Sequence, residues 1–90
     1  MIINLDVFRK QIDELDTKII HLLKKRMKIV KKVGLFKKKN SIPPLDPKRW
    51  NQVLQSMIAL GKKQGLSDVL ITKIYESIHE EALQIEHNIK

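Results

Sequence analysis

An arginine interrupts an otherwise apolar row. Leu5, Phe8, Ile12, Leu15, Ile19 and Leu22 recur in steps of three and four, and Ile29, Val33 and Phe36 continue the row; Arg26 holds the place between. A charge on the buried side of a helix needs an opposing charge, because burying it uncompensated is very costly. Two partners are open to Arg26: a glutamate on another helix of the fold, or the carboxylate of a bound anion. Lys37 returns to within about 20° of Arg26 and stands roughly 16 Å further along the axis. Val30 and Val33 lie between them on that face. The face therefore reads cation, apolar wall, cation. Lys24, Lys28, Lys31 and Lys39 point about 140–160° away from Arg26 and form a solvated face, with Lys25, Lys32 and Lys38 to the sides.

The element that positions these residues is a long helix from about Asn4 to about Lys39, marked by its 3.6-residue periodicity and interrupted only by Gly34. At 1.5 Å per residue it is roughly 50 Å long, whereas a compact chain of this size has a radius of gyration of about 12 Å. Two short helices of the same chain are too little to cover it, so the expected architecture is an intertwined homodimer. The segment "KKNSIPPLDP" breaks the pattern and reads as a loop. Asp46 then suits an N-cap and Pro47 the first helical position of a second helix, with Leu45 and Trp50 as a hydrophobic staple. Val53, Leu54, Met57 and Ile58 form its apolar face, and Gly65 suits a left-handed stop. Ser67 caps a third helix with the stripe Ile71, Ile74, Ile78, Ala82, Ile85 and Ile89. Residues 1–90 form a single all-α domain of three helices.

Composition narrows the function classes. The chain has 90 residues, 42% hydrophobic and 31% charged, and a formal net charge of +8, which together fit a folded domain with anionic partners. The absence of cysteine excludes disulfides, thiolate metal sites and thiol nucleophiles, and fits a cytoplasmic protein. The first residues, "MIINLDVFRK", lack the apolar core of a signal peptide, and no run is long enough to span a membrane. A basic helical module for nucleic acid would account for the charge, but there is no recognition motif, and 4% aromatic content gives few stacking platforms. It also leaves Arg26 without a role. His79 with Glu86 or His87 does not make a recognisable metal motif, and His21 belongs to the surface.

The run "LDVFRKQIDELDTKIIHLLKKRMKIVKKVGLFK", followed by "IPPLDPKR" and a helix beginning near "GLS", resembles the small all-helical (type II) chorismate mutase family across almost the whole chain. The resemblance rests on Arg9, the Asp13 to Asp16 segment, Arg26, the Val33-Gly34 pair before Lys37, and Asp46 with Arg49. It implies an intertwined dimer with two sites built from both subunits. The implied substrate is chorismate, a dicarboxylate, rearranged to prephenate by an intramolecular Claisen-type reaction in aromatic amino acid biosynthesis, without metal, cofactor, nucleic acid or membrane.

Residue by residue, the resemblance implies that Arg26 grips one carboxylate and that Arg9 reaches the partner chain's site. Lys37 would face the ether oxygen and a carboxylate. Arg49 would lie near the ring, Asp46 at the edge of the site, and Val33 in its apolar wall. Gly34 would allow close backbone approach.

The chain departs from the family pattern on two helices. Trp50 stands where a glutamate usually holds the ring hydroxyl, and Glu86 where a glutamine usually donates to the ether oxygen. An ionised carboxylate there would repel the developing charge, so Glu86 must carry a proton to help. Ala82 replaces a frequent small polar residue, and His79 and Leu83 share this face as wall. The loss at position 50 leaves room for a rival on the same fold, isochorismate-pyruvate lyase, which also lacks that glutamate.

Overall fold

The computed structural model describes residues 4–89. They form three helices, α1 (Leu5–Lys39), α2 (Pro47–Lys63) and α3 (Asp68–His87), with no strand among the described residues.

Each helix begins where a short polar side chain accepts an otherwise unpaired backbone N–H. Asn4 accepts from Val7 N, Asp46 from Arg49 N and Ser67 from Leu70 N. Two helices end alike. After α2, Gly65 turns left-handed at φ 78° and Leu66 N donates back to Gly61 O at 2.9 Å. After α1, Ser41 takes φ 56° and Ile42 N donates to Lys37 O at 2.8 Å. This is the double closure of a Schellman ending, and after α1 it turns the following loop back toward Lys37.

α3 is the central element. It packs against both α1 and α2, which share no seam of their own. Both seams close over glycines. A β-carbon on Gly34 would collide with Ile89 Cδ1 and lie 3.2 Å from Glu86 Cα. One on Gly61 would lie 2.6 Å from Ile71 Cγ1. The close approach expected at Gly34 is present; the one at Gly61 has no counterpart in the sequence reading.

Little of the chain's apolar surface is covered by the chain itself. Ile71 and Ala82 are the buried hydrophobic residues among those described, and Leu5, Ile12 and Leu22 are 58%, 55% and 63% exposed. The face of α1 turned to α3 runs through Leu23, Met27, Val30, Gly34 and Lys37. It is offset by one residue, about 100°, from the stripe of Leu22, Ile29, Val33 and Phe36, so α1 has two apolar faces rather than one. Arg26 lies at the margin between them. The extents of 61 × 26 × 14 Å and the radius of gyration of 16.9 Å exceed the ~12 Å of a compact chain of this length. No helix of the described residues is long and apolar enough to cross a membrane.

Candidate active site

The α1–α3 crossing and the start of α2 enclose a cavity of about 340 Å³. α1 contributes Arg26, Val30, Val33 and Lys37; α2 and the loop before it contribute Pro44, Asp46, Arg49 and Trp50; α3 contributes Tyr75, His79, Ala82, Leu83 and Glu86. The cation–wall–cation face of α1 is thus one side of a real cavity.

Lys37 is held at both ends of its reach. Its Nζ donates to Pro44 O at 2.6 Å and lies 2.8 Å from Glu86 Oε1. The two side chains are only 18% and 8% exposed. The Lys37–Glu86 contact is an ion pair in distance, but its direction is poor: Oε1 is fully enclosed and receives no aligned hydrogen bond. A buried oxygen in that state favours a further donor. Gly34 makes the pair possible, since it lets Glu86 Cα approach α1 one turn before Lys37.

Arg26 is half-buried on the same cavity and makes neither an ion pair nor a hydrogen bond among the described residues. Of the two partners open to it, the α3 glutamate is engaged by Lys37 instead. The guanidinium is left facing the cavity, where a planar fork of donors suits a carboxylate.

At the opposite wall the indole of Trp50 and the imidazole of His79 stack, with ring centroids 4.0 Å apart and planes 7° from parallel. Trp50, the expected staple partner of Leu45, stacks on His79 across the α2–α3 seam, and Leu45 is half-exposed. Burial of the imidazole pushes the His79 pKa below its usual 6.5, against the pull of Glu86 and with the help of the Arg26 charge.

The remaining expected residues are placed as follows. Asp46 borders the cavity while its Oδ1 accepts Arg49 N at 3.0 Å as the α2 cap. Arg49 also borders it, with its guanidinium on Gln52 Oε1 at 3.0 Å. Val33 and Ala82 are wall. Arg9 is not in this cavity: it lies about 25 Å along α1 from Arg26, 65% exposed and 3.9 Å from Asp6 Oδ1. Tyr75, Val53 and Ile29 also line the cavity and were not singled out from the sequence. Val53 sits on the α2 stripe and Ile29 on the α1 row, both of which the spacing assigns to helix packing; Tyr75 stands outside the α3 stripe of Ile71, Ile74 and Ile78. The described residues contain no group of three side chains placed to hold a metal ion.

The family model for type II chorismate mutase matches residues 8–87. The chain belongs to this family. Relatives include a chorismate mutase of Methanocaldococcus jannaschii, 33% identical over 89 residues, covering 97% of this chain and 90% of that one. A bifunctional chorismate mutase/prephenate dehydratase of Buchnera aphidicola from Acyrthosiphon pisum is 34% identical over 83 residues, covering 92% of this chain and 22% of its own length. A 4-amino-4-deoxychorismate mutase of Streptomyces pristinaespiralis is 23% identical over 82 residues. The chain spans only about a fifth to a quarter of the length of the bifunctional relatives it matches.

Proposed function

We propose that the chain rearranges chorismate to prephenate, as an intertwined homodimer whose two sites each draw on both subunits. The observation that carries the reading is the free guanidinium of Arg26 sharing an apolar-walled cavity with the Lys37–Glu86 pair. The bare α1 stripe from Leu5 to Leu22 supports the dimer, because apolar surface of that extent is normally an interface. The exposed Arg9, remote from its own cavity, is available to a partner.

The reaction is unimolecular, so the site's tasks are to fold a flexible dianion into a chair and to stabilise charge on the breaking ether oxygen. Arg26 grips one carboxylate and the partner subunit's Arg9 reaches a carboxylate too, while Val33, Ala82 and Leu83 press the ring from the apolar side. Arg49 and Asp46 stand at the ring's edge. Lys37, freed from part of its hold on Glu86 by the incoming ligand, places its ammonium on the ether oxygen. Glu86 lies 2.8 Å from that ammonium and faces the same atom, to which only its protonated form could donate. Removing one such donor lowers the rate by about 10²–10³-fold in comparable oxyanion sites.

Trp50 gives a second reading a foothold: a tryptophan stacked on His79 offers no carboxylate to a ring hydroxyl, so isochorismate, cleaved to pyruvate and salicylate, is the alternative substrate. Incubation of the purified protein with each compound, followed by product identification, decides between them. Prephenate from chorismate is expected. Pyruvate and salicylate from isochorismate, without prephenate from chorismate, would overturn the first reading, and no product from either would overturn both.

A further inference from the structure

His79 stands apart from the groups used above. It is the one histidine on the cavity, its ring is fixed flat on Trp50, and among the described residues neither of its nitrogens nor the indole Nε1 has a hydrogen-bond partner. The ring therefore has free polar edges beside a space shaped for a dianion.

We propose that His79 is a proton-coupled anion-binding residue, neutral in the empty cavity and protonated when a dicarboxylate occupies it. This rests on the dianionic substrate class of the preceding section.

The charges facing the imidazole explain why the state should change. From α1 come Arg26 and, through its pair with Glu86, Lys37; from α2 and its cap come Arg49 and Asp46; from α3 come Glu80, Glu86 and Tyr75. Empty, the cavity penalises a further cation: desolvation is the largest effect on His79, and Arg26 acts in the same direction. Two ligand carboxylates reverse the balance. They neutralise the Arg26 charge and add a negative field beside the imidazole, and nearby opposite charge favours the charged form. The indole face below adds a cation–π attraction available only to the imidazolium. The sign follows directly. The free residue titrates below 6.5, the occupied one titrates higher, and ligand binding takes up a proton between the two values. Affinity for the dianion then rises as pH falls through that window, by at most about tenfold per pH unit for one coupled proton.

Trp50 is the only tryptophan of the chain, and an imidazolium in stacking contact quenches indole emission, so the state of His79 can be read without turnover. Emission of the empty protein is expected to fall with a midpoint below pH 6.5 in wild type and to be flat in His79→Gln. Saturating prephenate is expected to move the wild-type midpoint upward. In parallel, KM for chorismate should fall between pH 7.5 and the free midpoint in wild type, with that slope lost in His79→Gln and retained in Lys28→Ala on the solvated face of α1. A midpoint unmoved by prephenate, or one that survives in His79→Gln, overturns the inference. A moved midpoint without turnover of chorismate would leave it standing and overturn the proposed activity instead.

Discussion

A methyl group on Gly34 drives into the tightest point of the α1–α3 seam, and its consequences for folding and for catalysis should diverge. The new β-carbon of Gly34→Ala would meet Ile89 Cδ1, which can swing aside because Ile89 lies beyond the end of α3. It would also lie 3.1 Å from Glu86 Cγ and 3.2 Å from Glu86 Cα, and a backbone atom moves only if the helix does. Relieving those contacts shifts Glu86 by a few tenths of an ångström or more relative to Lys37, whose ammonium now lies 2.8 Å from Oε1. Overpacking of this kind costs about 1–3 kcal/mol and alanine recovers about 1 kcal/mol of helix propensity, so the net loss is about 0–2 kcal/mol and the melting temperature should fall by no more than about 10–15 °C. Positioning is less forgiving: misplacement approaching 1 Å lowers rates by about 10²-fold. The expected result is a folded protein whose kcat on chorismate is down by about 10–10²-fold, measured by initial rates beside a circular-dichroism melt. A variant with wild-type kcat and wild-type melting would refute the claim that the glycine crossing sets the Lys37–Glu86 geometry.

Arg26→Ala should remove most turnover while leaving the helical content intact, because the guanidinium holds no partner among the described residues; Lys28→Ala, on the solvated face, should be nearly silent in the same assays. Glu86→Gln supplies a neutral amide donor at the same place, so its rate on chorismate at neutral pH should match or exceed the wild-type rate; a rate lowered by about 10²-fold or more would show that position 86 serves by its charge on Lys37 and not as a donor to the ether oxygen. If the bare stripe of α1 is the proposed dimer interface, light scattering at low micromolar concentration should give a dimer for wild type and a monomer for Ile12→Glu; a wild-type monomer would refute the proposed assembly.

Features governed by neighbours in sequence were legible from the sequence. Asp46 and Ser67 as caps, Pro47 at the start of α2 and Gly65 at its end follow from backbone chemistry within a few residues, and the structure has each of them. The face joining Arg26 to Lys37 was legible for the same reason, since helical geometry alone sets its angle. What depended on the placement of α3 was not. The grip of Pro44 O on Lys37, the pairing of Lys37 rather than Arg26 with Glu86, the stack of Trp50 on His79 and the approach of Ile71 to Gly61 all join residues distant in sequence. The offset between the two apolar faces of α1 was hidden because Arg26 lies at the margin of both, so one periodic row absorbed residues that the fold assigns to different neighbours.

Complementation between two inactive variants tests the shared-site reading most directly. Arg9→Ala and Arg26→Ala, each purified, would be unfolded together in equal amounts and refolded, and the rate of prephenate formation compared with that of each variant refolded alone. If each site takes Arg26 from one subunit and Arg9 from the other, every mixed dimer regains one intact site. With random pairing, half of the dimers are mixed, and the mixture should recover about a quarter of wild-type activity, as the two-fold symmetry of such a dimer requires. A mixture no more active than the separate variants, with both folded, would contradict a site built from two chains.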